Sequence, residues 1–473
     1  MVSTFVTESH GRFDDIPVLP RLVKKNFAQV DLGDQRRTQR LIQSAAQIAA
    51  HPEKPFTQIF DWPQLKGFYR LCDQQTATVN AIQTPHRNQT RQAMGQHPLV
   101  LILHDTTELD FTSHAALIDT GPIGDGRGRG FLQHNSLAVV PGPRRILGLA
   151  YQQIELRQEV PENETAAERR QRERESKLWI RGIESTGRPP AGSCWVDVGD
   201  RGADIYEAMR ASGNRGHDFL FRVAQDRQIW LDEQGETTGK LREYACSLAS
   251  QGRDQVEIPA RGGRASRVAQ VHLAASQVWI PAPTGTPRRG EQPLVAAWVI
   301  RIWEPNPPSG VAALEWILVT SVSTRTVVQI RERRDWYACR WLVEVFHDIE
   351  KNGCSEEDRR FETAARMTAC LAILALVAVR IFQLRTALTS QPDEPAKEVA
   401  SADEIAVVKK WAQHRGRKRF TVRDFVRGVA SLGGFLGRTG DGQPGVRTLW
   451  RGYQRLQDLL LGYQMHQKNV GKR

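Results

Sequence analysis

Residues 98–107 read PLVLILHDTT, and they predict a buried strand that ends in Asp105. A continuous apolar run of this length, followed at once by polar residues, is typical of a strand inside a sheet. Residues 193–209, SCWVDVGDRGADIYEAM, repeat the pattern: Cys194–Val198 predicts a strand, Asp200 lies in the turn after it, and a helix follows. Strands that alternate with helices predict an α/β core. Aspartate is also a common turn residue, so Asp105 and Asp200 are weak signals singly.

The composition is that of a large globular chain with a basic excess. Of 473 residues, 65 are Lys or Arg and 53 are Asp or Glu, which gives a net charge of +12. Such an excess favours a polyanionic partner, with nucleic acid as the first expectation and an anionic membrane surface as the second. The six cysteines form no CxxC pair, which indicates reduced thiols and argues against a zinc site.

Two features predict a cytoplasmic protein without a membrane segment. The first 15 residues lack the apolar core of a signal peptide. The longest apolar run, Met367–Val379, is shorter than the roughly 20 residues that span a bilayer, and it predicts a buried core helix.

Helical patterns flank the core. Asp34 predicts the N-cap of a helix in which Arg36 and Arg40 lie opposite the apolar side. A solvated face is the simplest interpretation of that basic side. A second helix is predicted after Trp62, and apolar helical spacing returns within residues 400–473.

The middle of the chain changes pattern several times. Residues 136–154 predict a hairpin with a Pro-Gly turn. Residues 226–314 contain short strand-like pieces separated by Gly, Pro and Arg, and they predict an all-β insertion. A buried strand returns at Trp316–Val322, and a long helical region follows from Thr326 to Ala387. Residues 388–404 are polar and contain proline, so they predict a linker.

The segment YACRWLVEVFHDIEK, residues 337–351, carries the candidate chemistry. As one continuous helix, it would place phenol, guanidinium, carboxylate and ammonium groups in a single sector of about 100°. The residues of this sector are Tyr337, Arg340, Glu344, His347, Asp348 and Lys351. A solvent-exposed helix face with i,i+4 ion pairs has the same pattern. The segment alone therefore does not decide between a catalytic face and a solvated one.

The two aspartates shift the interpretation toward a site. Asp105, Asp200 and Glu344 together supply three carboxylates, which hold hard divalent cations such as Mg²⁺. Two-metal sites of this kind serve in-line phosphoryl displacement. His104 precedes the first aspartate, where a packed histidine and a group that supports the site are both compatible with the sequence.

These residues resemble a known family, the bacterial cut-and-paste insertion-sequence transposases with an Asp-Asp-Glu site, and in particular the Tn-five type. The hallmark of that type is Tyr-x2-Arg-x3-Glu-x6-Lys, and this chain keeps every spacing. Its members here are Tyr337, Arg340, Glu344 and Lys351. The family's first aspartate precedes Thr-Thr, as Asp105 does, and its second lies in Asp-Arg-x-Ala-Asp-Ile, as Asp200 does. Asp197 is a rival by composition, but the motif selects Asp200.

The resemblance covers nearly the whole chain and implies further contacts with DNA. LGDQRRTQRL at 32–41 is similar to the family's end-binding helix. The contacts implied there are Arg36, Arg37 and Arg40. Trp316 matches a tryptophan that interacts with a flipped base in close relatives, although an ordinary core aromatic fits equally well. Arg222 is similar to a residue that contacts the DNA backbone. Asp348 stands at a position where relatives can carry a lysine.

The resemblance also implies a fold and a division into domains. The implied fold is α/β: an RNase H-like core of a mixed sheet flanked by helices, with an all-β insertion and helical terminal domains. The implied division is a DNA-end-binding domain at 1–90, core segments at 91–225 and 315–388, the insertion at 226–314, and a dimerisation domain at 400–473.

The implied function is cut-and-paste transposition. Asp105, Asp200 and Glu344 would be catalytic and would hold two Mg²⁺ ions, with Mn²⁺ as an alternative. Tyr337, Arg340 and Lys351 would position phosphates. The implied partners are double-stranded DNA, as inverted-repeat ends and as target, and a second copy of the chain in a synaptic complex. The implied location is the bacterial cytoplasm at the nucleoid, with no membrane partner.

Two other functions stay open on the sequence. One is a metal-dependent DNA nuclease on the same core that does not join strands. The other is a catalytically silent, transposase-derived protein that binds DNA or inhibits transposition. The intact acidic triad argues against the second.

Overall fold

The computed structural model describes residues 26–158, 163–165, 168, 174–258, 266–284, 286, 291–412 and 419–470. The chain divides into two compact units. The sheet unit comprises His86–His347, and the terminal unit comprises Met1–Pro85 together with Asp348–Arg473. The division into five segments that the resemblance implies stays a prediction.

A mixed sheet of twelve strands, counted over the described residues, forms the sheet unit. The strands are β1 Leu99–Asp110, β2 Gly121–Ile123, β3 Gly128–Val140, β4 Arg145–Glu155, β5 Cys194–Gly199, β6 Asp218–Arg222, β7 Gln228–Trp230, β8 Thr238–Lys240, β9 Gly252–Ile258, β10 Arg267–Ile280, β11 Val295–Trp303 and β12 Glu315–Thr320. Their order is β2-β3-β1-β5-β6-β12-β11-β10-β7-β8, with β4 on β3 and β9 on β10. The pairs β1–β5 and β5–β6 are parallel.

Helices occur in both units. They are α1 Gln35–Ala50, α2 Phe56–Ile59, α3 Trp62–Cys72, α4 Val79–Met94, α5 Glu175–Thr186, α6 Tyr206–Arg215, α7 Leu241–Ser247, α8 Val327–Ala338, α9 Trp341–Asp348, α10 Ala364–Ser390, α11 Ala402–Trp411, α12 Val422–Leu432 and α13 Val446–Val470. In the sheet unit, α5 packs against β3 and β4, and α8 packs against β5, β6 and β10. The predicted α/β class, with a mixed sheet and flanking helices, is therefore confirmed.

Strand β1 is longer than predicted, which changes the position of Asp105. Parallel pairing with β5 ends at Leu103, whereas antiparallel pairing with β3 continues to Asp110. Asp105 therefore lies in mid-strand, opposite Asn135, and its prediction as a strand end was wrong. The polar residues that follow it stay extended because β3 supplies their hydrogen-bond partners. Asp200 directly follows β5, as predicted.

Residues 226–314 are not all-β, which corrects the prediction. Helix α7 interrupts the strands, and its Leu241 and Ala245 are buried in the same apolar cluster as Val295 and Ala297 of β11. Two buried positions four residues apart suffice to dock a helix of two turns, but they are too few to stand out in a strand-rich sequence. Because β11 pairs with β12, and β12 with β6, these strands extend the same sheet.

The long helical region predicted after the last strand is divided. Helix α8 ends at Ala338 and α9 begins at Trp341, so the prediction of one continuous helix over 337–351 was wrong. The chain turns because Cys339 closes α8 as its C-cap and is itself buried. A π-helical turn over Ile349–Gly353 breaks the helical register again.

The helix starts predicted in the terminal unit are confirmed. The Asp34 side chain accepts a hydrogen bond from the Arg36 N–H and caps α1. Asp61 and Gln64 form a reciprocal capping box at the start of α3. Helix α10 is long and apolar enough to cross a membrane by length and composition, but 78% of its most apolar window is buried. It is the core helix predicted around Met367–Val379.

The predicted linker at 388–404 is wrong, because this segment is structured. Helix α10 continues to Ser390, and a 3-10 turn occupies Ala396–Glu398. Pro395 forms a bridge with Thr421, and Ala396 is buried. The six cysteines are free thiols, as predicted. The charged stretch at 162–177 also predicts a helix, and half of it, residues 162, 166–167 and 169–173, lies outside the described residues.

Candidate active site

The sheet unit brings six of the predicted site residues into one connected cluster. They are Asp105 in β1, Arg222 at the end of β6, Trp316 in β12, Tyr337 in α8, Arg340 in the turn after it and Glu344 in α9. Each side chain of this cluster interacts with at least one other through an ion pair, a hydrogen bond or a ring contact. Segments more than 200 residues apart therefore meet at one place.

Arg340 joins two of the three candidate carboxylates. Its Nη1 lies 3.5 Å from Asp105 Oδ2, and its Nη2 donates a hydrogen bond to Glu344 Oε1. Burial alone would lower the pKa of Arg340, but Tyr337 and the two carboxylates outweigh burial and raise that pKa. Arg340 is therefore a permanent positive charge between Asp105 and Glu344.

The electrostatics of Asp105 show that Asp200 also lies near. Burial, repulsion from Asp200 and a smaller repulsion from Glu344 raise the pKa of Asp105 to about 7, although Arg340 and the Thr106 N–H act against them. Asp200 is half-buried, and its Oδ1 accepts a hydrogen bond from the Gly202 N–H at 2.7 Å. Carboxylates that repel one another in this way favour a bound cation.

The donors of this cluster fit a hard divalent cation in kind, since they are carboxylate oxygens. In the part of the chain that the structure describes, however, no three Asp, Glu, His or Cys side chains converge closely enough to hold a metal ion. The positive charge between Asp105 and Glu344 is that of Arg340.

Tyr337 connects the carboxylates to Trp316 and Arg222. Its ring meets Trp316 edge-on, with centroids 5.4 Å apart and planes at 67°. Burial raises the pKa of Tyr337, while hydrogen bonds and charge from Arg340 and Arg222 act in the opposite direction. The phenol therefore keeps its proton near neutral pH and can donate a hydrogen bond.

Lys351, the last member of the sequence motif, belongs to the terminal unit. It lies in the π-helical turn Ile349–Gly353, and its Nζ is 3.5 Å from Glu357 Oε1. Asp348, which departs from the family pattern, accepts a hydrogen bond from Asn352.

The three basic candidates of α1 have different environments. The Arg36 side chain is 93% exposed. Arg37 donates a hydrogen bond to the Leu32 carbonyl, which holds it against its own helix start. The Arg40 guanidinium packs on α3, where a Cβ at Gly67 would lie 3.1 Å from its Cζ. Arg36 is thus the most exposed of the three, whereas Arg37 and Arg40 are half-buried and each packs on a neighbouring part of the terminal unit.

One buried group near the site was missed by sequence reasoning. Asp197, rejected as a ligand, is completely buried and hydrogen-bonds to His104, Ser212 and His217. An aspartate between valines inside an apolar strand is the signal that indicates such a network, because a buried charge requires partners.

Two protein families match the ends of the chain. The family described as transposase DNA-binding matches residues 21–77, and the family described as the transposase Tn5 dimerisation domain matches residues 376–468. One match is to a transposase DNA-binding domain and the other to a Tn5 dimerisation domain, so the two ends of the chain are similar to those of a DNA transposase. Together the matches support a Tn5-like transposase, as the motif predicted.

A solved structure is also similar in part. It is the cryo-EM structure of a piggyBac transposase synaptic complex with hairpin DNA. It is 9% identical, with a TM-score of 0.36, and the likeness covers 94% of this chain and 81% of that chain. At this TM-score the likeness carries no conclusion about the fold.

Proposed function

We propose that this chain is a metal-dependent cut-and-paste transposase with an RNase H-like core. The observation that carries the proposal is the bridge from Asp105 through Arg340 to Glu344, with Asp200 near enough to raise the pKa of Asp105. A mixed sheet in which β1, β5 and β6 run parallel supports the RNase H-like assignment.

Asp105, Asp200 and Glu344 are the proposed metal ligands. They would hold Mg²⁺, or Mn²⁺ in its place, most simply as two ions. Bound divalent ions would supply Lewis-acid activation of the attacking oxygen and charge stabilisation at the leaving oxygen. No protein nucleophile is needed, since water and a DNA 3′-hydroxyl supply the attacking oxygens.

The other cluster residues would act on the DNA strand. The phenol O–H of Tyr337 would donate a hydrogen bond to a phosphate oxygen. Arg340 is held between two carboxylates, and its remaining guanidinium N–H groups would point toward the same phosphate. Its positive charge would offset the negative charge of that phosphate. Arg222 and Lys351 would contact further phosphates. Trp316 presents an aromatic face on which a displaced base can stack.

The proposed substrates are element ends and target DNA. Cleavage of one strand would free a 3′-hydroxyl, which would attack the opposite strand to form a hairpin. Water would reopen the hairpin, and the freed ends would join target DNA. The Tn5-type dimerisation match at 376–468 supports a second copy in the synaptic complex. The proposed location is the bacterial cytoplasm, at the nucleoid.

The first test is strand cleavage of DNA that carries the flanking inverted repeats. The wild type is expected to give nicks and hairpins at the repeat ends with Mg²⁺, and neither with EDTA or with Asp200→Ala. Cleavage that never proceeds to joining would favour the nuclease. Tight end binding without cleavage under Mg²⁺ or Mn²⁺ would instead favour a silent DNA-binding protein.

Arg40→Ala is expected to weaken binding to element ends and to reduce its dependence on salt. Loss of one phosphate contact lowers the slope of log K against log salt by about 0.9. Fluorescence anisotropy with labelled end DNA at several salt concentrations measures both quantities.

Arg423→Ala is the matched control for Arg40→Ala. Arg423 is 51% exposed in the same unit, and it lies outside the DNA-binding match. Its replacement is expected to leave the slope unchanged. Equal slopes for wild type and Arg40→Ala would remove α1 from the DNA interface.

A further inference from the structure

A buried polar network lies behind the candidate carboxylates and has no part in the function proposed above. At its centre, Asp197 of β5 is completely buried. Its Oδ1 is 3.0 Å from His104 Nε2, and its Oδ2 accepts hydrogen bonds from Ser212 Oγ at 2.7 Å and from His217 Nδ1 at 3.0 Å. Both carboxylate oxygens are therefore hydrogen-bonded without water.

The geometry sets the charge of His217. Its Nδ1 faces the Asp197 carboxylate, and its Nε2 lies 3.1 Å from the Gly187 carbonyl oxygen. Both partners are acceptors, so both ring nitrogens carry hydrogen and the ring is an imidazolium. Burial would lower the pKa of His217, but the Asp197 charge and the two hydrogen bonds raise it. Asp197 and His217 are thus a buried ion pair.

His104 connects this ion pair to β1. Its Nε2 faces Asp197, and its Nδ1 accepts a hydrogen bond from Ser136 Oγ at 2.9 Å, so one neutral tautomer satisfies both contacts. The network therefore crosses from β3 through β1 to β5 and reaches α6 through Ser212. Gly182 of α5 completes the packing, because a Cβ there would lie 3.1 Å from His104 Nδ1.

The network lies next to the two candidate aspartates along the chain. His104 immediately precedes Asp105, and Asp197 lies three residues before Asp200. Side chains alternate along a strand, so His104 and Asp105 point to opposite faces of β1. Parallel pairing of β1 with β5 ends at the pair Leu103–Val198, two residues before Asp105 on one strand and two residues before Asp200 on the other. The His104–Asp197 contact thus joins the two strands just before the candidate ligands.

We propose that Asp197 is a positioning residue, which sets the spacing of Asp105 and Asp200 for a divalent cation through His104 and His217. The proposal rests on the proposed function. Because Asp197 is shielded from water and hydrogen-bonds to His104 of β1, this contact holds β1 and β5 in one relative position, while His217 and Ser212 hold the Asp197 carboxylate in place. Residues that hydrogen-bond to metal-binding side chains and orient them typically contribute about 10- to 100-fold to metal affinity.

Mn²⁺ binding to the full-length, DNA-free protein tests this, measured by electron paramagnetic resonance at rising Mn²⁺. Asp197→Ala is expected to raise the dissociation constant at least about tenfold. Asp197→Asn is expected to raise it less, because asparagine can keep each hydrogen bond once His217 is neutral. Asp197→Ala with an unchanged dissociation constant would overturn the proposal.

Glu304→Ala separates positioning from general destabilisation. Glu304 is another buried carboxylate of the sheet unit, paired with Arg267 at the end of β11. Its loss is expected to lower the melting temperature as Asp197→Ala does and to leave Mn²⁺ binding unchanged. If Asp197→Ala does not fold, His217→Gln decides, and wild-type Mn²⁺ affinity in that variant would contradict the proposal.

Asp200→Ala distinguishes this proposal from the proposed function. It is expected to lose the bound Mn²⁺ signal that the wild type gives. A wild type that binds no Mn²⁺, or an Asp200→Ala variant that binds it like the wild type, would overturn the metal assignment and, with it, the role of Asp197.

Discussion

Replacing Glu344 with glutamine is expected to abolish strand cleavage while leaving binding to element ends unchanged. Glutamine keeps the shape of the side chain but lacks the negative charge that a divalent cation requires of its ligands. It also deprives Arg340 of one of its two anionic partners. Metal activation contributes several kcal/mol, so the cleavage rate is expected to fall by about a thousandfold or more.

Binding and cleavage separate in this variant because they involve different parts of the chain. The DNA-binding match covers residues 21–77, whereas Glu344 lies in α9. Glu332→Gln is the control: Glu332 is a half-exposed glutamate of α8 that pairs with Arg333 and takes no part in the cluster. Cleavage retained by Glu344→Gln, or lost equally in Glu332→Gln, would contradict the role of Glu344.

Residues 337–351 show which contacts can be predicted from helical spacing and which cannot. The i,i+4 contact of Arg340 and Glu344 is kept in the structure because Arg340 immediately precedes α9 and Glu344 lies in the first turn of α9. The common helical face predicted for all six polar residues is not kept. A turn at Cys339 and a π-helical turn after Asp348 each change the register. The turn at Cys339 contains no Pro or Gly that would predict it, and the π-helical turn contains a glycine only at its end, Gly353.

Long-range pairing accounts for what the sequence could not predict in β1. An apolar run identifies the buried part of a strand, but the polar part from Asp105 to Asp110 is extended because β3 pairs with it. The partner of Asp105 is Asn135, which lies in a polar stretch that is nonetheless buried. Burial of such residues depends on tertiary contacts that alternation patterns do not contain.

The partners of Asp197 could not be predicted from the sequence either, because they too are brought together by long-range contacts. Asp197 within WVDV indicates a buried charge, yet its partners His104, Ser212 and His217 are up to 93 residues away. The family motif selected residues of the cluster that are half-buried, together with Tyr337, which is buried. It gave no sign of the residues that support them from the opposite face of the sheet.

Replacing Gly452 with alanine is expected to destabilise the C-terminal helices by about 3 kcal/mol. Helices α12 and α13 approach so closely that a methyl group at Gly452 would overlap the carbonyl oxygen of Val429 and lie 2.7 Å from its carbonyl carbon. Gly433 makes the reciprocal approach to Thr448 of α13. Backbone atoms cannot rotate away as a side chain can, so the two helices must separate.

Gly462→Ala is the matched control, and its effect is expected to have the opposite sign. Gly462 lies on the same helix, and a methyl group there would meet no other atoms within 4 Å, so alanine gains helix propensity of up to about 1 kcal/mol. Thermal unfolding by circular dichroism measures both changes. Because α12 and all but the last two residues of α13 lie within the Tn5-type dimerisation match, sedimentation of the complex with end DNA should also show fewer dimers for Gly452→Ala. Equal melting temperatures for the two variants would contradict the close helix contact.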